Sequence, residues 1–138
     1  MTGDPKVDRS FGPAWRVRGR TRFAEIHAAK VRRESGPLLV YALPNEVGHL
    51  RIGLSVGRRV GNAVRRNLVK RRLREAFRLH RAAWPGEYDL LVVVRPHEPT
   101  APDAYAGHLG AAVRRLDQAW RKRLEKPPAV DDRASSPE

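Results

Sequence analysis

One segment restricts the fold of this chain more than any other, because residues 62–84 combine helical apolar spacing with charge of almost one sign. Asn62 is a favourable N-cap, and Pro85-Gly86 predicts that the helix stops about six turns later. At about 100° per residue, the polar face spans an arc of about 140°. That arc contains Arg66, Asn67, Lys70, Arg71, Arg74, Arg78 and Arg81. Most of the remaining surface is apolar, with Phe77 beside the basic edge: Val64, Leu68, Val69, Leu73, Ala76 and Leu79.

The basic face of this predicted helix has two interpretations. Arg66, Lys70, Arg74 and Arg78 repeat at i, i+4, and three like-charge pairs cost an isolated helix roughly 1 kcal/mol in total. A solvated helix face is one interpretation, but such faces usually mix charges of both signs. A surface that binds a polyanion is the interpretation that the nearly uniform sign favours.

Composition restricts the class of protein. The 138 residues allow one modest domain, and a net charge of +13 indicates nucleic acid, an acidic partner or an anionic membrane. A membrane is the weakest of these, since no apolar run reaches the roughly 18 residues of a spanning helix. The first residues do not have the layout of a signal peptide, and there is no cysteine for disulfides or thiolate metal sites. A cytoplasmic protein without a membrane partner is expected.

Hydrophobic periodicity predicts a helix and two strands before the basic helix. Thr21 is a candidate N-cap for a helix whose stripe of Phe23, Ile26, His27 and Val31 either packs or borders a groove. Ser35-Gly36-Pro37 is expected to break that helix. Residues 38–43 then form a strand, residues 50–56 alternate as a half-buried strand, and the two are predicted to pair as an antiparallel hairpin.

A third strand and a last helix are predicted after the basic helix. Residues 88–94 end in a continuous apolar run, which indicates a central strand covered on both faces. Thr100 and Asp103 have the spacing of a capping box at the start of the last helix. The predicted fold is an α+β sandwich of one domain: helix, hairpin, basic helix, strand, helix. It occupies residues 17–125, between a disordered basic arm (1–16) and a flexible tail (126–138).

Catalytic patterns are weak in this sequence. The five histidines are scattered, Ser55 has no accompanying base, and the glycines at 53, 57 and 61 match no phosphate-binding loop. Asp89, before an apolar run, is interpreted as a strand-end residue. We therefore expect no catalytic residues and no metal ligands in the protein, and any role in an enzyme is expected to be one of binding.

Several motifs, in order, resemble the protein subunit of bacterial ribonuclease P. The strongest is residues 58–77, RRVGNAVRRNLVKRRLREAF. The other matches are an early helix with a phenylalanine, LVYALPN at 39–45, RIGLSV at 51–56 and YDLLVVVRP at 88–96, so the resemblance covers residues 17–125. It implies an α+β fold with a left-handed strand–helix–strand crossover.

The resemblance also implies a function and site residues. Proteins of that family assist a catalytic RNA that, with Mg²⁺ bound mainly by RNA and substrate, removes the 5′ leader of precursor tRNA. By position, the catalytic RNA would contact Arg58, Arg59, Asn62, Arg66, Asn67, Lys70, Arg71 and Arg74. The single-stranded leader would lie against Phe23, Tyr41 and His27, although core packing is the alternative role for Phe23 and Tyr41. No obligate protein partner is implied.

Two positions depart from the family pattern. Leu68 stands where the second arginine of an Arg-Asn-Arg motif is found, and Arg65 is its possible substitute. His27 stands where the family has a second aromatic on the first helix, so the leader groove is expected to be weaker or differently selective.

Other functions remain open on the residues alone. A ribosomal or other structural RNA-binding protein would share the charge and the α+β layout. A DNA-binding module would use the basic helix in a major groove, although no helix-turn-helix pattern is present. An independent nuclease would cleave without an RNA subunit.

Overall fold

This computed structural model describes residues 10–125, which fold around a four-stranded mixed sheet. The strands are β1 (Arg32–Ser35), β2 (Leu38–Pro44), β3 (Arg51–Val56) and β4 (Tyr88–Val94). The α-helices are α1 (Arg20–Ala29), α2 (Ala63–His80) and α3 (Pro102–Glu125). Short 3-10 helices cover Pro13–Trp15, Arg58–Val60 and Arg81–Ala83. The α+β class predicted from the sequence is confirmed.

The order of the strands corrects the predicted hairpin. The sheet runs β1-β2-β4-β3, so β4 lies between the two strands that were expected to pair. β4 is antiparallel to β2 and parallel to β3, which confirms the central position predicted from its apolar run. The hairpin prediction was wrong because β4, which comes later in the chain, pairs with both strands and separates them. β1 and β2 form the true hairpin, turning at Gly36, whose φ is +56°.

The first helix is shorter than its sequence pattern predicted. Its N-cap residue is Gly19, so the prediction of Thr21 as the N-cap was wrong. It ends at Ala29 because Lys30 adopts a left-handed conformation with φ of 59°. Val31 directly precedes β1, and its carbonyl accepts a hydrogen bond from the Ala42 N–H at 3.0 Å. The sequence pattern therefore missed β1 entirely.

The helices cover the two faces of the sheet. α2 and α3 pack on the face that carries Leu38, Val40, Leu90 and Val92, which are fully buried. α1 packs on the opposite face through Ile26, against Tyr41 and Leu91. β3, α2 and β4 form the predicted strand–helix–strand crossover between parallel strands. Its left-handed sense stays a prediction.

The start of α3 and the chain segment before α1 also differ from expectation. Ala101, rather than Thr100, accepts the first helical N–H, from Ala104 at 3.1 Å. Phe11 and Trp15 pack against the main core, so the ordered structure begins before the boundary drawn at residue 16. The remainder of the predicted arm (1–9) and the predicted tail (126–138) lie outside the described residues. Over residues 10–125, no helix combines the length and hydropathy needed to cross a bilayer.

Candidate nucleic-acid interface

The beginning of α2 is fixed by its cap and by the 3-10 helix before it. The Asn62 side chain accepts a hydrogen bond from the Arg65 N–H at 2.9 Å, which confirms the predicted N-cap. Val60 is buried in the 3-10 helix, and this leaves Arg58 and Arg59 exposed next to the first turn of α2. The two arginines therefore continue the charged surface of α2 toward its N-terminus.

The packing of α2 decides which side chains face outward. Val69, Leu73, Ala76 and Phe77 are fully buried at spacing i, i+4, i+7 and i+8. The cations opposite and beside them form one surface that we call the basic strip: Arg58, Arg59, Arg66, Lys70, Arg71 and Arg74. Asn67 is exposed next to them. The geometry thus brings most of the predicted RNA-binding residues of α2 onto one side of the helix, whereas Arg65 lies outside this group and pairs with Glu98.

The basic strip is not neutralised by carboxylates. Across residues 10–125, none of its six cations forms an ion pair. The neighbouring cations differ, because Arg65 contacts Glu98 at 2.8 Å and Arg78 contacts Glu75 at 2.7 Å. A row of unpaired cations costs stability in the free protein and attracts polyanions.

Some assignments on α2 were wrong. Arg81 belongs to the predicted basic face but is buried, with its guanidinium 3.3 Å from the centroid of the Trp15 ring. Phe77, which the helical spacing places beside that face, is fully buried. Val64, predicted to be apolar core, is 79% exposed in the first turn of α2. The regular helix also ends at His80, earlier than the six turns predicted.

The three predicted leader-binding residues lie on the α1 side of the sheet. The His27 and Tyr41 rings are stacked, with centroids 4.9 Å apart and planes 27° apart. Tyr41 is 4% exposed, whereas His27 is exposed, so His27 presents the accessible ring of this pair. Phe23 is partly buried and its ring lies on Gly53, where a Cβ would approach the Phe23 Cζ to 2.7 Å. Tyr41 therefore packs behind the His27 ring and contributes almost no accessible surface of its own.

A buried carboxylate holds α1 on the sheet. Asp89 is fully buried and accepts hydrogen bonds from Arg51 Nε and Nη2 (2.7 and 2.6 Å) and from Arg22 Nε (2.7 Å). Asn45 Nδ2 adds a fourth at 2.8 Å. Burial alone would raise the pKa of Asp89, but the hydrogen bonds from Arg51, Arg22 and Asn45 outweigh it and lower the pKa. Arg22 is on α1 and Arg51 on β3, so one aspartate ties the helix to two strands.

Sequence reasoning missed this arrangement around Asp89. The available signal was an aspartate directly before a run of five apolar residues in a central strand. A charged group at such a position requires partners of opposite charge. The partners themselves are far away in sequence, and their identity follows from the strand order.

Metal-binding and catalytic groupings are not found in the described part of the chain. Between residues 10 and 125, no three His, Cys, Asp or Glu side chains are arranged to hold a metal ion. His97, the histidine of the loop between prolines, is hydrogen-bonded through Nε2 to the Tyr105 hydroxyl at 2.6 Å and through Nδ1 to the Arg95 carbonyl at 2.7 Å. The chemistry that the basic strip and the rings of Phe23 and His27 offer is the binding of phosphate and of nucleic-acid bases.

Comparisons with known proteins agree on one family. The family model described as Ribonuclease P matches residues 11–117. The ribonuclease P protein component of Desulfovibrio desulfuricans is 41% identical over 93 residues, which cover 66% of this chain and 72% of that protein. That of Exiguobacterium sibiricum is 40% identical over 82 residues, covering 59% and 71%.

Solved structures give the same result. The ribonuclease P protein of Thermotoga maritima superposes with a TM-score of 0.65 at 28% identity, covering 72% of this chain and 96% of that one. The protein from Staphylococcus aureus gives a TM-score of 0.63 at 27% identity, covering 75% and 95%.

Proposed function

Because this chain belongs to the ribonuclease P protein family, we propose that it binds the catalytic RNA and the 5′ leader of precursor tRNA. In this role it assists endonucleolytic removal of the leader, which produces the mature 5′ end of tRNA. Proteins of this family are components of an endoribonuclease that functions with an RNA subunit. The proposed place of action is the cytoplasm.

The observation that carries the proposal is the unpaired basic strip. Five of its six cations are arginines, whose planar guanidinium donates two parallel hydrogen bonds to phosphate oxygens. Arg66, Lys70 and Arg74 are four residues apart, so their Cα atoms rise by about 6 Å from one to the next along the helix axis. We assign this surface, with Asn62, Asn67 and Arg65, to the catalytic RNA.

We assign the leader to the face of the sheet that α1 covers, opposite the face that α2 and α3 cover. Phe23 and His27 project from α1, and Tyr41 supports His27 from β2. Bases of any sequence stack on such rings, which suits a leader that differs between precursor tRNAs. Because His27 is smaller than the aromatic expected there, stacking at that position is expected to be weaker.

The proposal assigns the cleavage step to the RNA partner. Hydrolysis of the phosphodiester would use Mg²⁺ held mainly by RNA and substrate. The protein contributes position and charge neutralisation.

Reconstitution tests the proposal directly. The purified protein is mixed with a catalytic ribonuclease P RNA and end-labelled precursor tRNA at a Mg²⁺ concentration too low for the RNA alone. Restored cleavage at the mature 5′ end is the expected result. No gain in cleavage, together with co-purification of ribosomal RNA, would instead support a structural RNA-binding protein. Cleavage by the protein without any RNA subunit would indicate a nuclease in its own right.

Replacing Phe23 tests the assigned leader surface. We expect Phe23→Ala to weaken precursor tRNA binding to the assembled enzyme by about 1 kcal/mol, or roughly fivefold, because one stacked base loses its platform. Mature tRNA, which lacks the leader, should bind as before. Affinities of both tRNAs are measured by gel shift or fluorescence anisotropy.

Phe23→Leu is the matched control for packing. Leucine keeps apolar volume against Val17 and Ile26 but removes the aromatic ring, so it should reproduce the loss seen with alanine. A leucine variant with normal precursor binding, or an equal loss for both tRNAs, would show that Phe23 acts through the core.

A further inference from the structure

The loop between β4 and α3 (residues 95–101) lies against the N-terminal half of α2. Arg65 Nη2 donates a hydrogen bond to Glu98 Oε1 at 2.8 Å, and Arg72 Nη1 donates to the Thr100 carbonyl at 3.0 Å. A depression of about 500 Å³ lies where the loop meets the start of the helix, and it is lined by Gly61, Asn62, Val64, Arg65, Leu68 and Pro99. The loop therefore binds two cations of α2 that lie beside the basic strip.

The loop is fixed to α3 through a buried ring. Tyr105 is fully buried, and its hydroxyl lies 2.6 Å from His97 Nε2 and accepts a hydrogen bond from the Thr100 N–H at 3.4 Å. On the other side of the His97 ring, Nδ1 is hydrogen-bonded to the Arg95 carbonyl at 2.7 Å. Glu98 follows His97 directly, so its backbone is positioned before any ligand arrives. The place of this carboxylate is thus a feature of the fold.

The contact between Arg65 and Glu98 is weak enough to be exchanged. The Glu98 side chain is 88% exposed and that of Arg65 is 37% exposed, so water and dissolved salt screen the pair. A guanidinium forms the same charge-assisted hydrogen bonds with a phosphate as with a carboxylate. A phosphate can therefore replace Glu98 without leaving the Arg65 guanidinium unpaired.

The surroundings of Arg65 favour this replacement when RNA is close. Arg58, Arg59 and Arg66 belong to the basic strip and form no ion pair within residues 10–125. α2 also begins here, and the N-terminus of a helix carries partial positive charge. RNA held by the strip would attract Arg65 and repel the Glu98 carboxylate at the same time. The anion that suits Arg65 best therefore differs between the free protein and a complex with RNA.

We propose that Glu98 is a competing anion at the RNA interface: it holds Arg65 in the free protein, and a phosphate of the catalytic RNA displaces it. Arg65 then adds its charge to the basic strip only in the complex. The inference rests on the proposed function and deepens it, because it makes the loop before α3 a part of the protein that sets the affinity for RNA. The expected consequence is an affinity lower than the cations of α2 alone would give.

A double-mutant cycle of Arg65→Gln and Glu98→Gln tests the exchange in binding to the catalytic RNA. Glu98→Gln is expected to raise the affinity about twofold to fivefold more when Arg65 is present than in the Arg65→Gln background, because only Arg65 has to break the pair. Glu46→Gln removes the same charge from the exposed loop before β3 and should have equal effects in both backgrounds. Arg65→Gln alone should reduce the slope of log affinity against log salt by roughly 0.9, the value for one phosphate contact on duplex nucleic acid.

Two results of this cycle overturn the proposal. Equal effects of Glu98→Gln in the two backgrounds would show that RNA binding does not break the pair. An unchanged salt slope in Arg65→Gln would show that Arg65 does not reach a phosphate of the RNA.

Titration of the free protein with inorganic phosphate separates failure of this inference from failure of the proposed function. The Arg65 Nε–H signal is followed by NMR, and the amide spectrum verifies that each variant is folded. The signal is expected to reach half of its shift at a lower phosphate concentration in Glu98→Gln than in the wild type or in Glu46→Gln. If the wild type restores cleavage but Glu98→Gln matches Glu46→Gln in the titration and in the cycle, the proposed function stands and the inference fails. If the signal responds as expected in a protein that does not restore cleavage, the exchange at Arg65 stands without that function.

Discussion

The affinity of the wild-type protein for the catalytic RNA is expected to fall by about 10³–10⁵-fold between 50 and 200 mM monovalent salt. This is the decrease calculated for six to ten phosphate contacts on duplex nucleic acid, and the basic strip supplies six cations without carboxylate partners among residues 10–125. Each contact releases a condensed counterion, so added salt opposes binding. The measurement is fluorescence anisotropy of labelled RNA over a salt series at constant Mg²⁺.

Two triple variants separate the basic strip from total charge. Replacing Lys70, Arg71 and Arg74 with glutamine should reduce the slope of log affinity against log salt by roughly 0.9 for each phosphate that the protein no longer neutralises. Replacing Arg114, Arg115 and Lys122 removes the same charge from exposed positions on α3. That second set should leave the slope nearly unchanged. Equal slopes for the two triples, or a flat wild-type dependence, would show that the strip is not the binding surface.

Replacing Asp89 with asparagine is expected to lower the free energy of unfolding by about 3 kcal/mol. The substitution leaves Arg22 and Arg51, with side chains 26% and 25% exposed, without the fully buried carboxylate between them. Their partial exposure to water places the expected effect at the lower end of the range for broken buried pairs. Urea denaturation followed by circular dichroism measures the change.

Acid and a control substitution test the origin of this stability. The pKa of Asp89 is lowered in the folded state, so its contribution is complete above the unfolded value of about 3.9 and is lost as pH falls below it. The difference between wild type and Asp89→Asn should therefore shrink in strong acid. Glu34→Gln breaks an exposed pair with Arg95 and should change the stability far less than Asp89→Asn. A similar small cost for Asp89→Asn would contradict the role given to its hydrogen bonds.

The basic helix was predictable because its signals are local. Asn62 caps it as expected, and Val69 and Leu73 are buried as their spacing requires. Where the prediction failed just after this helix, at Arg81, the deciding contact came from elsewhere in the chain, because Trp15 covers Arg81. Periodicity gives the direction of a side chain but not what lies in that direction.

The strand order was not predictable from the same signals. Residues 38–43 and 51–56 are successive in the chain, and successive strands usually pair. Here β4 separates them, and its apolar run predicted two neighbours without identifying them. β1 was missed because RRES carries neither apolar alternation nor β-branched residues, and it becomes a strand by pairing with β2.

The candidate site was partly predictable. Arg66, Lys70 and Arg74 follow from helix geometry, and Phe23 from the stripe on the first helix. The stacking of His27 on Tyr41 depends on a contact between elements distant in sequence. Such contacts require the tertiary fold.

The central position of β4 has a consequence for synthesis on the ribosome. β2 and β3 both pair with a strand that is translated after them, and α2 is translated before that strand as well. A nascent chain that stops before Tyr88 can form the β1–β2 hairpin but exposes the remaining edges of β2 and β3. Long-range pairing of this kind delays folding until the later segment emerges. The nascent protein therefore acquires its RNA-binding shape late, after the arginines of α2 have already left the exit tunnel.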